Sequence, residues 1–527
     1  MTAAKNEYDV AIVGGGHNGL AAACYLAEAG NRVLVIEARE KVGGMASSGY
    51  LIPEAPQHLI HPCALDLMSL RVHPMMPHEL QLERYGFRQV EMSPGYVYLH
   101  PDGSSLVFGR SAAQTAAEIR RFSARDADEF MSLMKLVDAF IDVAIPMMRV
   151  DPAQRNLGAK WQAFRAMFKN RALKPELMAL IGSPAYTSIM ERFEHPVTQS
   201  ALCCLLGAAG PIAGEATGIY FALLGFIHRF GLGRAVGGMQ TLSNALAARL
   251  RELGGEIILD APVAEILAQD GVARGVRLKS GAVVKARAVI ASIHPKMALE
   301  MVTPGALDRR TLTRVALAPA NGHGASPLKV DVALSGQVGY SRHEAMRPDG
   351  LSLRKSVLLI GTADAVLDNF RAAARGEVSP LPYMWITAPS AVDPGQAPPG
   401  QDVAYLYPVA MPVEPRNGWD AIRAGVGQQV IDHASRYMDG LKEYEIGRRI
   451  EAAPDLAERL NVHRGCVVHI DTSPARSALM RPAAGLGGDT LPVAGLFLGG
   501  AGVHPGGGIN GLPGRIAARR VSRYLAR

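Results

Sequence analysis

A chain of 527 residues exceeds what one hydrophobic core usually supports, so two domains are expected, in series or interleaved. Its 48% apolar and 20% charged residues are an ordinary globular balance, and five cysteines without CxxC or CxxxxC spacing argue against a metal site or a redox-active disulfide. The net charge of +7 comes from scattered arginines with no aromatic interleaving, which speaks against nucleic acid and leaves a surface suited to anionic lipid.

The first predicted elements are a strand at 8–13, a turn Gly14-Gly15-Gly16-His17-Asn18-Gly19, a helix closed by Gly30, and a second strand ending on Glu37. This is a glycine fingerprint in the strand–turn–helix–strand setting that binds a dinucleotide. Gly14 permits the sharp turn, Gly16 leaves room for a pyrophosphate, and Gly19 lets the helix lie close to the sheet. The helix start offers unpaired N–H groups and partial positive charge to phosphate. Glu37 falls where an acid accepts from a ribose hydroxyl, and its charge disfavours a 2′-phosphate.

Gly43-Gly44-Met45 follow shortly after Glu37. Together GGGHNGLAAACYLAEAG, VLVIEARE and VGGMA resemble the FAD-binding N-terminus of phytoene-desaturase-type and amine-oxidase-type flavoproteins. The resemblance implies FAD as cofactor, held here by Gly14, Gly16, Asn18, Gly19, Glu37, Ala38, Arg39, Gly43, Gly44 and Met45. It also implies an α/β fold: a Rossmann-like FAD-binding domain of the glutathione-reductase and amine-oxidase type, interleaved with an α+β substrate domain.

The segment 53–76 carries His58, His61 and His73. In the family it passes near the flavin ring, so His58 and His61 are candidates to line a substrate tunnel, beside the plainer reading of satisfied structural histidines. Residues 85–110 alternate as a hairpin around Pro101-Asp102-Gly103, and a helical region runs from Ser111 to about Phe230. Within it Trp161, Phe164, Met167 and Phe168 interleave with Lys160, Arg165, Lys169 and Arg171. That pattern is either a basic amphipathic helix on a membrane surface or a lid helix with a solvated basic edge. The pair Cys203-Cys204 reads as core filler. The run 201–226 is too interrupted to span a bilayer, and the first apolar segment is the nucleotide strand rather than a signal peptide. A cytoplasmic chain is expected, with peripheral membrane contact left open.

Gly237-Gly238-Met239 precede a helix at 241–253 and strands at 256–259, 263–267, 274–278 and 288–291. In the family this block completes the FAD domain, and Val263 meets the adenine through its backbone. Residues 300–475 read as the rest of a substrate domain, with strands at 329–334 and 404–408 and a helix at 419–441. The stretch 386–409 resembles one branch of the family, named for a pyridine nucleotide-disulphide oxidoreductase domain, although no disulfide motif is present. The expected division is 1–75, 235–300 and 480–527 for FAD, and 76–234 and 301–479 for the substrate, including a helical lid.

Near the C-terminus a short strand at 495–499 leads through a glycine-rich loop to Gly511 and a helix with Pro513 in its first turn. The resemblance places Gly502, Gly506, Gly507, Gly508, Ile509 and Asn510 against the flavin, where a helix start would favour the negative charge of the reduced ring.

Only one dinucleotide fingerprint is present, so electrons are expected to leave for oxygen, a quinone or a carrier protein. The expected reaction is hydride transfer from a C–H bond of a lipophilic substrate to flavin N5, creating a double bond. No catalytic residue is assigned; His504 is a candidate for the second proton, beside His58 and His61. A redox-neutral isomerase, an amine oxidase with paired aromatics (for which 6% aromatic residues is thin) and a non-catalytic flavoprotein interaction partner stay open. The residues do not fix an oligomeric state.

Overall fold

The computed structural model describes residues 7–489 and 491–527. Two seven-stranded sheets organise it. The first is built on strand Glu7–Val13, flanked by Val33–Ile36 and Val283–Ala291, both parallel to it. Glu256–Ile258 extends one side and the antiparallel meander Val263–Gln269, Val272–Leu278, Val283–Ala291 the other. Leu496–Leu498 pairs in parallel with the end of Val283–Ala291. Val10, Ile12, Val33 and Val35 are buried among helices, whereas Ala11, Val13, Leu34 and Ile36 pack into a separate cluster across the sheet. Parallel strands covered on both faces read as continuous apolar runs, which is how VAIV and VLVI appear.

Helices His17–Glu28, Gln240–Glu252 and Leu512–Leu525 pack beside one another on this sheet. The N-terminal and C-terminal helices approach so closely that a Cβ on Gly514 would stand 2.0 Å from the Asn18 carbonyl oxygen. This backbone contact ties the two ends of the chain together.

The second sheet runs Glu445–Glu451, Lys329–Leu334, Asp402–Pro408, Met384–Thr387, Val357–Ile360, Tyr96–Leu99, Ser105–Phe108. Its faces follow the strand period of two. Tyr96 and Tyr98 pack against the helical region, whose long helix Ala124–Met148 contributes Phe130 and Leu133; Val97 and Leu99 share the opposite core with Val430 and Ile431 of helix Trp419–Ala434.

The hairpin and helical region stand as expected, and Lys329–Leu334 matches residue for residue. The helix expected at 419–441 stops at Ala434, after which the chain turns toward Gly440. Strands Val357–Ile360 and Met384–Thr387 and helix Ala363–Ala374 were not anticipated. VLLI and MWIT are short, wholly apolar or nearly so, and carry no alternation to distinguish strand from core helix. Among the described residues no helix is long and apolar enough to cross a membrane.

Candidate active site

The first glycine turn divides its labour. Gly14 has φ of +98°, and a Cβ there would lie 2.9 Å from Ile293 Cγ2. A Cβ on Gly19 would stand 2.2 Å from the Gly14 carbonyl oxygen, so glycine is needed for the helix to reach the strand. Gly16 is different, because a Cβ there meets nothing within 4 Å. It faces open space, as a cradle for a ligand requires.

Glu37 follows strand Val33–Ile36 directly. Its Oε2 accepts the Gly15 N–H at 2.7 Å and its Oε1 the Arg39 N–H at 3.1 Å. Burial pushes its pKa above the ordinary carboxyl value, opposed by those backbone donors. The second glycine pair backs onto the first turn: Gly43 donates to the Gly15 carbonyl at 2.9 Å.

These elements open onto a cavity of about 950 Å³. One end is walled by Gly14, Gly16, Asn18, Glu37, Ala38 and Arg39. Gly44 and Met45 join it from a neighbouring turn, Val263 from the start of its strand, and Gly507, Gly508 and Ile509 from the C-terminal loop. The structure thus brings residues from three distant parts of the chain onto one wall. Gly19, Gly43, Gly502, Gly506 and Asn510 lie off it. Gly502 is packed on Pro295, where a Cβ would stand 2.2 Å from Cγ, and Asn510 Oδ1 accepts the Leu512 N–H at 2.8 Å. Gly506 sits beside Arg481, whose buried guanidinium donates to the Val468, Ile470 and Ala501 carbonyls at 2.9, 2.8 and 3.1 Å. Arg481 therefore pins segment 468–470 to the start of the glycine loop, and no sequence pattern announced it.

Five buried polar atoms on the cavity wall lack a hydrogen-bond partner among the described residues: His17 Nε2, Asn18 Oδ1, Ser292 Oγ, Arg459 Nε and His469 Nδ1. Orphaned groups of this kind cost stability unless a ligand or water meets them. With open Gly16, two adjacent helix-start residues and the Glu37 carboxylate, they suit a ligand bearing phosphates and hydroxyls. The residues present fit FAD. Burial holds His17 at a pKa of about 4 and His469 well below the ordinary value, so both are neutral near pH 7.

The other end is apolar and aromatic. Tyr405 and Tyr407, two apart on strand Asp402–Pro408, stack with centroids 5.8 Å apart and planes at 24°. Tyr96 and Trp385 meet edge to face at 5.2 Å. Val357 and Leu223 complete this part of the wall. Asp66 is also on the wall, its Oδ1 held by Arg234 Nε at 3.2 Å, and burial raises its pKa. The aromatic set was missed in the sequence, although the AYLYP alternation already put both tyrosines on one face of a strand.

None of the three candidate histidines lines the cavity. His504 is buried away from the cavity wall, its Nε2 against the Met147 carbonyl at 3.2 Å, and burial lowers its pKa to about 4. His58 Nε2 meets the Leu334 carbonyl at 3.3 Å, and His61 Nε2 meets Gln396 Oε1 at 2.9 Å. Each has one ring nitrogen on a protein partner, while Nδ1 of His58 and of His61 has none among the described residues.

The model of the flavin-containing amine oxidoreductase family matches residues 19–522. The chain is 27% identical to pyridine nucleotide-disulfide oxidoreductase domain-containing protein 2 of Mus musculus, over 99% of this chain and 94% of the mouse protein. It is 24% identical to the lycopene-forming phytoene desaturase of Pseudescherichia vulneris, over 98% of each chain. In fold it is similar to the cyclohexylamine oxidase of Brevibacterium oxydans, with a TM-score of 0.61 at 16% identity, covering 99% of this chain and 100% of that one. The chain belongs to the flavin-containing amine oxidoreductase family and is an FAD-dependent oxidoreductase.

Proposed function

We propose that the protein dehydrogenates a lipophilic small molecule, placing a double bond in it. The observation that carries this reading is one continuous cavity that joins the glycine-lined cradle to an end walled by Tyr96, Trp385, Tyr405 and Tyr407. The phytoene desaturase relative, by its name, acts on such a molecule. Gly14, Gly16, Glu37 and Val263 would hold the dinucleotide part of FAD, and Gly507, Gly508 and Ile509 would border the ring. Bound FAD supplies the two-electron acceptor for a hydride leaving a substrate C–H bond.

The chain's own residues orient the substrate and receive its proton. The aromatic walls exclude water and fix the reacting carbon. Asp66 has one oxygen committed to Arg234, which leaves Oδ2 to accept the proton released when the double bond forms. Its raised pKa suits it to hold that proton. The electrons would pass on to oxygen, a quinone or a carrier protein. The two sheets support the interleaved division, with 1–75, 235–300 and 480–527 around FAD and the remainder around the substrate.

A second reading is favoured by the Tyr405–Tyr407 stack, since amine oxidation calls for paired aromatics around the substrate nitrogen. Anaerobic titration of the FAD-loaded protein with isoprenoid alkenes, fatty acyl compounds and amines separates the two. Saturable bleaching of the oxidised flavin band by an alkene or acyl compound supports dehydrogenation. Bleaching by amines alone assigns amine oxidation, and product formation with an unchanged spectrum assigns isomerisation. Silence toward the whole panel, with a protein partner co-purifying, assigns a non-catalytic role.

A further inference from the structure

Helix Leu157–Lys169 is built inside out. A helix on a water-soluble protein turns its large apolar side chains inward. Here the residue it buries is Ala163, while Leu157, Trp161, Phe164 and Phe168 are 74%, 64%, 56% and 61% exposed. Their spacing puts all four along one face of the helix. The rings stack on one another, Trp161 on Phe164 at 5.7 Å and Phe164 on Phe168 at 6.5 Å, forming a continuous surface. Met178 of the neighbouring helix Lys174–Gly182 is likewise 59% exposed. Contiguous exposed apolar area of this kind marks an interaction site.

Charge identifies the partner. Residues 152–175 contain Arg155, Lys160, Arg165, Lys169, Arg171 and Lys174 and no acidic residue, and all six basic side chains are exposed. The acids at the two borders are already engaged: Asp151 by Arg520 at 2.6 Å and Glu176 by Arg192 at 2.9 Å. An aromatic apolar face rimmed by unopposed positive charge complements the boundary between acyl chains and anionic headgroups.

We propose that the segment Leu157 to Lys174 docks the protein onto an anionic bilayer surface. The position suits the supply of substrate and in that respect rests on the lipophilic-substrate reading. Leu173 and Leu177, beside the patch, pack against the same hydrophobic cluster as Leu223, Trp385 and Tyr407 of the cavity wall. A molecule dissolved in the bilayer is thereby presented at the helices that cover the aromatic end of the cavity.

The test is sedimentation of the FAD-loaded protein with vesicles of equal parts phosphatidylglycerol and phosphatidylcholine, against phosphatidylcholine alone. The protein is expected to pellet with the anionic vesicles and to release in high salt. The Trp161→Ser/Phe164→Ser/Phe168→Ser variant alters exposed side chains, so it keeps its FAD content, and it should bind about a hundredfold more weakly. The Lys160→Glu/Lys169→Glu variant should lose about tenfold or more. Failure to pellet with anionic vesicles, or unchanged binding by the triple serine variant, overturns the proposal. A dimer that this variant dissociates, without vesicle binding, would assign the face to a second copy of the chain and overturns it equally. Bleaching by detergent-dispersed substrate in the same preparations keeps the two readings apart. Loss of docking with bleaching intact refutes docking alone, and loss of bleaching with docking intact refutes the substrate reading alone.

Discussion

The side-chain nitrogen of Lys329 lies 3.4 Å from the centroid of the Tyr405 ring, so a buried amine packs against one of the aromatic residues that wall the cavity. The same nitrogen is paired with Asp331, two residues along the strand on the same face, and both side chains are almost fully buried. Burial lowers the pKa of Lys329 and raises that of Asp331, each resisted by the other's charge. Removing one partner strands the other in an apolar setting. Lys329→Met is expected to cost about 3–5 kcal/mol of stability, whereas Lys329→Met/Asp331→Leu should recover most of it. Urea midpoints of the two variants and the parent measure this directly.

Glycines that look alike in the sequence should fail in different ways. Gly16→Ala meets no protein atom, so it should fold with near-parental stability while its affinity for FAD falls at least about tenfold. Gly19→Ala and Gly514→Ala drive a Cβ to 2.2 Å and 2.0 Å from backbone oxygens, and should each lose about 2 kcal/mol or more of stability. Thermal melts of the apoprotein, set beside FAD titrations, separate the two classes.

Stability should decline on mild acidification. His17, His61, His294 and His504 are held near a pKa of about 4 in the folded protein, against an ordinary value of 6.5, chiefly by burial. Between those values the unfolded chain binds protons that the native state refuses, so stability is fully present above 6.5 and is lost progressively as the pH falls toward 4. Each such histidine contributes about 1 kcal/mol of this loss by about pH 5.5. Melting temperatures of the apoprotein across that window should fall steadily with pH; a flat profile would show that these imidazoles are not buried neutral.

Asp66→Asn should retain FAD, because Asp66 stands at the aromatic end of the cavity rather than at the fingerprint. The amide keeps an oxygen for Arg234 but cannot take up a proton. Anaerobic bleaching by the productive substrate should slow by about 100-fold, the usual worth of a positioned base. An unchanged bleaching rate would remove Asp66 from the chemistry.

Much of this arrangement is legible in the sequence, for identifiable reasons. The cradle could be read because each of its main pieces carries a local signal: the turn at Gly14 and Gly16 and the loop at Gly507 and Gly508 by glycine spacing, and Glu37 by its place at the end of a strand. The aromatic end could not be read in the same way. Tyr96, Trp385 and Tyr407 come from three strands whose order in the sheet depends on long-range pairing, including the parallel pair Tyr96–Leu99 and Val357–Ile360. The place of His504 was not legible either, because a loop that touches the cavity at Gly507 can still turn a side chain three residues earlier toward Met147. Arg481 gave no local signal, since its partners are carbonyls scattered over Val468, Ile470 and Ala501.

The most direct measurement is the crystal structure of the FAD-loaded protein soaked with whichever lipophilic compound bleaches it. The proposed site requires adenine density beside Val263, ring density bordered by Gly507 and Gly508, and the compound lying between Tyr96, Trp385 and Tyr407. Density for the compound on the far side of those aromatics, or a flavin ring that does not open onto them, would contradict it.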